Sequence, residues 1–247
     1  PPTAEDVKMR TERVPMNHND RVRYFNTFAV GLSLLVVVHM LLTAYRDFRD
    51  NFAINILSSL EYVDSATGEL TNYGARAENL AISEVPIAFA VLVALGFLMA
   101  IRDNRTAFNV VHLVVFIGVS LAGLSTVGFQ LGLIDPYVWF ILVGLGLYLG
   151  YVPFQCILFE RMIALFKEKA NAGFLIYIAD ATGYLGSVLV LLYKNFGAAE
   201  LSWLEFFVQA SYVLSIVGCV LMLLSFFYFQ RKSRSMERKV SVSLETT

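Results

Sequence analysis

YFNTFAVGLSLLVVVHMLLTAY, residues 24–45, contains no Asp, Glu, Lys or Arg, and RDFRD follows at once at residues 46–50. A helix rising about 1.5 Å per residue carries Tyr45 about 31 Å from Tyr24, close to the roughly 30 Å of a bilayer's hydrocarbon core. The stretch therefore reads as one membrane-spanning helix. The four charges that follow stand at its mouth, away from the midplane. Five further runs qualify in the same way: 85–101, 107–133, 137–159, 172–193 and 203–229. They are continuously apolar instead of alternating, so they read as helices and not as barrel strands. Pro86 falls near the start of the second run, where a first helical turn tolerates it. Ile134-Asp135-Pro136 makes a tight turn between the third and fourth.

Composition agrees. Of 247 residues, 57% are hydrophobic and 16% charged, with a mean hydropathy of +0.63. A soluble domain has about 45–50% apolar and about 25% charged residues. The expected fold class is all-α, a polytopic membrane protein with six transmembrane helices.

The basic residues orient the spans. Lys8, Arg10, Arg13, Arg21, Arg23, Arg102, Arg105, Arg161, Lys167, Lys169, Arg231, Lys232, Arg234, Arg238 and Lys239 fall on one side, and only Arg46, Arg49, Arg76 and Lys194 on the other. The positive-inside rule then puts both termini in the cytoplasm. The domain layout is a cytoplasmic segment 1–23, a transmembrane domain 24–230 with an outer segment 46–84, and a cytoplasmic tail 231–247. Pro-Pro opens the chain with a polar stretch unlike a secretory signal peptide, and an internal start is the simplest expectation.

Several function classes find no support. A net charge of −1 and the lack of a basic stripe argue against nucleic acid. Cys156 and Cys219 lie in apolar runs and read as small buried hydrophobes. There is no phosphate-binding glycine loop, metal-ligand cluster or nucleophile–base pair, so no enzyme activity, metal or cofactor is expected. The paired Asn-Pro-Ala boxes of aquaporins, the Gly-x-Ser-Gly of rhomboid-type proteases and the triple motif of mitochondrial carriers are all missing.

Three features carry a resemblance. Ile101-Arg102-Asp103-Asn104-Arg105 is a very short charged loop between the second and third spans. The fourth span is rich in glycine, with Gly144, Gly146 and Gly150 before Pro153. Residues 159–169, the fourth loop, read as a short amphipathic helix between the two repeats. With six spans and inside–inside ends, the layout resembles the C-terminal half of a major facilitator superfamily transporter, built from two three-helix units. The short loop departs from the superfamily's motif in lacking its Gly-Arg-Arg ending. The stretches TAYRDFRDNF, GYVPFQCILFERMIA and KANAGFLIYIADATGYLGSV also resemble an uncharacterised bacterial family of this type. The resemblance implies an inner-membrane secondary transporter whose partner is an N-terminal six-helix half of the same polypeptide. Its small-molecule substrate would bind near the midplane between the halves, with coupling to protons left open. A sensor or assembly protein on the same scaffold is the alternative.

The candidate site follows from polar residues inside the spans. Asp180 lies deep in the fifth, where an ionisable group costs on the order of 2.5–3.5 kcal/mol and normally faces protein or a watery cavity. Tyr177, Asp180, Tyr184 and Ser187 share one helical face, while Ala179, Gly183 and Ser187 form a small-residue ridge. Tyr148, Tyr151 and Gln155 make a polar stripe on the fourth span. His39 shares a face with Thr43, Arg46 and Asp50 on the first. Expected substrate-binding or coupling residues are Asp180, Tyr177, Tyr184, Gln155, Tyr151, Arg46 and His39, with Asp180 switching charge and Arg46 attracting an anionic part of the substrate. A helix-gluing hydrogen bond is the bland reading for Asp180, and a helix–helix hydrogen bond that for His39 and His112. Arg46, Asp47, Arg49 and Asp50 are either an outer gate or a self-compensated helix end in which Arg46 reaches Asp50 at i, i+4. Glu84 reads as a first-turn acid, and Glu160 with Arg161 as a solvated helix end.

In the outer segment, Phe48, Phe52, Ile56 and Leu60 form one apolar stripe, so the first helix is expected to run on to about Tyr62. A turn-rich loop over residues 64–69 follows.

Overall fold

The computed structural model describes residues 16–65, 67–75, 78–167 and 170–245. The expected N-terminal segment as far as residue 15, Arg76, Lys169 and the last two residues of the tail lie outside the described residues.

Six helices are long and apolar enough to cross a membrane, the make-up of an integral membrane protein. The first, α1 (His18–Ser58), opens on a reciprocal cap in which the Asp20 amide donates to Asn17 Oδ1 at 2.8 Å and the Asn17 amide to Asp20 Oδ2. It bends at Phe28 and Phe52. It stops at Ser58 and not near Tyr62. The chain turns instead into a hairpin of β1 (Glu61–Val63) and β2 (Leu70–Asn72), and residues 64–69 form its connection. This hairpin and a short 3-10 turn, Tyr73–Ala75, cap the end of an otherwise helical molecule that the basic residues are expected to place outside, its outer end.

Helix α2 (Glu78–Ala100) begins seven residues before the apolar run, so Pro86 lies inside it and not in its first turn. Helix α3 (Asn104–Gln130) follows after three residues, with Asp103 accepting from the Thr106 amide at 2.7 Å. The short charged loop is thus mostly a helix cap. Helix α4 (Pro136–Pro153) starts with proline at its first turn, capped by Asp135. A π-helical turn, Phe154–Leu158, then leads directly into α5 (Phe159–Phe166). The expected amphipathic helix is therefore no separate loop element. It is the end of the fourth span, burying Phe159, Met162, Ile163 and Phe166 before Lys167 turns left-handed at φ 52°. Helix α6 (Ala172–Leu192) is capped by Asn171, and α7 (Trp203–Glu245) completes the bundle.

Taken in chain order as two sets of three, α1–α2–α3 and α4 (with α5)–α6–α7, the helices pack mainly across the sets. Helix α1 packs against α6 and α7, α4 packs against α2 and α3, and α3 packs against α7. The first helix of each set is therefore held by the second and third helices of the other. Close approach needs missing side chains. A Cβ on Gly118 would lie 2.4 Å from the Gly146 carbonyl oxygen and 2.7 Å from the Gly150 amide. The small-residue ridge on α6 behaves as expected: Ala179 and Gly183 are buried, and Gly183 and Gly186 sit against Thr43 and Met40 of α1. Helices α2 and α6 leave broad apolar faces open, among them Phe89 and Phe97 on one and Leu185 and Leu189 on the other.

Candidate functional site

The polar face of α1 meets the polar stripe of α4, and α6 and α2 close in from either side. Deepest in the bundle, His39 Nε2 lies 3.3 Å from Asp180 Oδ1, and the Gln155 amide donates to the same oxygen. Gln155 Nε2 is also 3.4 Å from His39 Nε2. Asp180 is eight residues into α6, about 12 Å along the span. Gln155 belongs to the π-helical turn that follows Pro153. Such turns widen a helix locally and recur at functional sites. The His39 ring stacks on Tyr151 at 5.2 Å and 19° and is wholly buried, with Nδ1 unpartnered among the described residues.

Two turns further out, the Arg46 guanidinium lies 4.1 Å over the same Tyr151 ring on which His39 stacks. Its Nε and Nη2 donate to Asp47 at 3.1 and 2.6 Å, while Ser187 of α6 donates to Asp47 Oδ2 at 2.6 Å. The expected Arg46–Asp50 pairing does not form. Asp50 accepts instead from the Tyr148 hydroxyl at 3.0 Å and from Arg49 at 3.5 Å, and Arg46 is drawn inward by the Tyr151 face.

Arg49, near the far end of the column, is the most buried of its charged side chains, 1% exposed. Its Nη1 is 2.8 Å from Glu84 Oε1 of α2, and its guanidinium lies 4.2 Å over Phe140. Gly144 leaves the room: a Cβ there would fall 2.7 Å from Arg49 Nη2. Glu84 is thus the counter-charge of a buried arginine and not a first-turn dipole acid, since α2 begins six residues earlier. The Arg49–Glu84 contact is a charge pairing more than an aligned hydrogen bond, and Arg49 Nε and Nη2 find no partner among the described residues.

Of the sequence-predicted residues, the structure brings together His39, Gln155, Asp180, Tyr151 and Arg46, and stacks Asp47, Asp50 and Arg49 above them. Tyr177 and Tyr184 share Asp180's face of α6 but point to its open side, 77% and 61% exposed. His112 follows the bland reading, bonded to the Phe108 carbonyl at 2.9 Å and to Ser225 of α7 at 3.2 Å. Arg161 donates to Asn104 at 2.9 Å, tying α5 to the start of α3. Sequence reasoning passed over Ser187 as a partner of Asp47, Tyr148 as a partner of Asp50, and the Arg49–Glu84 pair. The one available signal was an arginine and a glutamate each bordering an apolar run on the same side of the membrane.

A family model matches residues 1–232, described as a family of unknown function, DUF5690. The chain belongs to that family. No curated protein and no solved structure matches it. For this DUF5690 chain the site is therefore defined by its own geometry: an acid, an imidazole and an amide at mid-span, with ion pairs leading to the outer end.

The outer end is ordered by aromatic contacts. Tyr62 stacks on Tyr73 at 4.4 Å and Tyr73 on Tyr137 at 4.9 Å, which ties the hairpin to the start of α4. Burial and the neighbouring Asp135 carboxylate push the Tyr73 hydroxyl up from its ordinary value.

Proposed function

We propose that the chain works as a secondary active transporter of a small molecule. It would act by alternating access on a major-facilitator-type scaffold, as the C-terminal half paired with an N-terminal six-helix half. The observation that carries this reading is the His39–Gln155–Asp180 cluster. Three polar side chains from three spans converge well inside the apolar region, where a carboxylate costs on the order of 2.5–3.5 kcal/mol unless it is partnered or wetted. A helix-gluing acid needs no column of ion pairs above it. Here Tyr151, Arg46, Asp47, Asp50 and Arg49 continue from the cluster to the outer end.

The packing of α1 and α4, each held by the second and third helices of the other set, supports the same reading, because transporter folds of this type are built from paired three-helix units. Asp180 is the charge-switching group, and Arg46, Asp47, Arg49 and Asp50 form an outer gate whose pairs exchange as the halves rock. The resemblance to a bacterial family supports an inner-membrane setting, and the distribution of Lys and Arg supports cytoplasmic termini. Uptake of a panel of small solutes into vesicles containing the protein, with and without a pH gradient, tests the proposal. Gradient-driven accumulation above protein-free vesicles is expected, and its absence across the panel contradicts it.

The second reading, a membrane sensor or assembly protein, is favoured by one observation, the tyrosine-stacked outer cap. A cap built for a partner loses that partner when Tyr73→Ala breaks the stack, while vesicle uptake is untouched.

A further inference from the structure

The charges around the site are unequal. Four acids, Asp47, Asp50, Glu84 and Asp180, face two arginines, and both arginines are committed. Arg46 is held by Asp47 through two donors, and Arg49 lies buried between Glu84 and Asp50. Arg49 Nε and Nη2 lack hydrogen-bond partners among the described residues, but at 1% exposure the guanidinium is closed to an anion. Among the described residues Asp180 meets only the Gln155 amide and the His39 ring, and no Lys or Arg among them compensates its charge. It is also accessible, 31% exposed on the open side of α6. Three residues before it and four after it on the same face stand Tyr177 and Tyr184, both largely exposed. A carboxylate flanked by two open aromatic rings is the chemistry that receives an ammonium group.

Resting on the transporter reading above, we propose that the substrate is a small organic cation bearing an ammonium group, and that it exchanges against one proton held by the His39–Asp180 pair. With neither bound, the pair carries one negative charge. The cation or the proton neutralises it, and binding of one removes the attraction for the other. His39 is sealed from solvent with Nδ1 unpartnered among the described residues, so the proton is held at the Nε2–Oδ1 contact. The displaced proton passes to water on whichever side the site then faces. The exchange is one for one and moves no net charge.

The titratable and charged groups around the pair are few. Tyr151 faces it from α4, Arg46 and Asp47 stand two turns along α1, and Tyr177 and Tyr184 lie on α6 itself. Helix α7 carries no Asp, Glu, His, Lys or Arg between Glu205 and Arg231.

The test is proton release on binding by the purified full chain in weak buffer at pH 7, read with a pH indicator. The probes are phenethylammonium, tetraethylammonium and choline, with phenylacetate and succinate as anionic counterparts. At least one cation should release about one proton per molecule bound, and the anions none. Asp180→Asn should abolish the release while eluting and melting like the parent, and Asp180→Glu should retain it. Tyr177→Ala and Tyr184→Ala should each weaken cation binding about two- to fivefold, the contribution of one ring at an exposed site. Binding of an anion in place of the cations, cation binding without proton release, or no response to any probe overturns the proposal. Vesicle uptake separates this inference from the reading beneath it. Gradient-driven uptake of a solute without a positive charge keeps the transporter and removes the cation. Cation binding with proton release but no uptake keeps the cation site and removes the transporter.

Discussion

His39 and Asp180 stand 141 residues apart in the chain and meet at 3.3 Å, across the contact between the first and fifth spans. The contact depends on α6 lying close to α1, which the Gly183–Thr43 and Gly186–Met40 approaches allow. Bulk on that ridge therefore acts on the site at a distance. Gly183→Leu should push the two helices apart and lower the melting temperature. It should also raise the reactivity of His39 to diethylpyrocarbonate, since the ring is wholly buried in the parent.

The contact between α3 and α4 makes a cleaner stability prediction. A Cβ at Gly118 meets backbone of α4 on arrival, and backbone cannot rotate away. Gly118→Ala should destabilise the protein by about 1–3 kcal/mol, the usual cost of overpacking. Gly96, in the interior of α2, has nothing within 4 Å of its Cβ position. Gly96→Ala should stabilise by up to about 1 kcal/mol through helix propensity. Paired thermal melts check the opposite signs.

Arg49 and Glu84 join α1 to α2 at the outer end. Glu84→Ala leaves a buried guanidinium with only the longer Asp50 contact and should cost about 3 kcal/mol. Arg49→Met keeps the volume and leaves behind two carboxylates that are partly exposed and can be wetted, so it should cost less than Glu84→Ala. Measured together, the two separate a structural tie from a gate: Arg49→Met that stays folded but no longer transports marks a gate.

Asp103 offers a pH prediction outside the membrane. Hydrogen bonds from Thr106 hold its carboxyl below the ordinary carboxylate range. A folded-state value below the unfolded one makes its contribution present at neutral pH, and that contribution fades as pH falls through the folded value. Asp103→Ala should lower the melting temperature at pH 7, and the difference from the parent should shrink on acidification, as thermal melts across that range would record.

Much of the fold was legible because a membrane leaves helices little choice. Six apolar runs gave six spans, and the stripe of Tyr148, Tyr151 and Gln155 on α4 does meet the stripe of His39, Arg46 and Asp50 on α1. Helix ends were less legible. The π-helical turn after Pro153 carries the fourth span on into residues that read as a separate amphipathic helix, and Pro86 looked like a helix start because Glu78–Glu84 is too polar to extend the apolar run. Pairings between helices were the least visible. Periodicity reports which residues share a face of one helix, and it holds nothing about which face of another helix lies opposite. That is why Asp47 was matched to no serine, Arg49 to no glutamate, and Arg46 to the wrong aspartate.

The central claim is that Asp180 switches charge during transport. Its most direct measurement compares the parent and Asp180→Asn in sealed vesicles, at equal protein levels, following uptake of an identified substrate under an imposed pH gradient. The account predicts gradient-driven accumulation by the parent and its loss in the variant, with the variant still folded and still able to equilibrate substrate down its own gradient. Full gradient-driven accumulation by Asp180→Asn would contradict it.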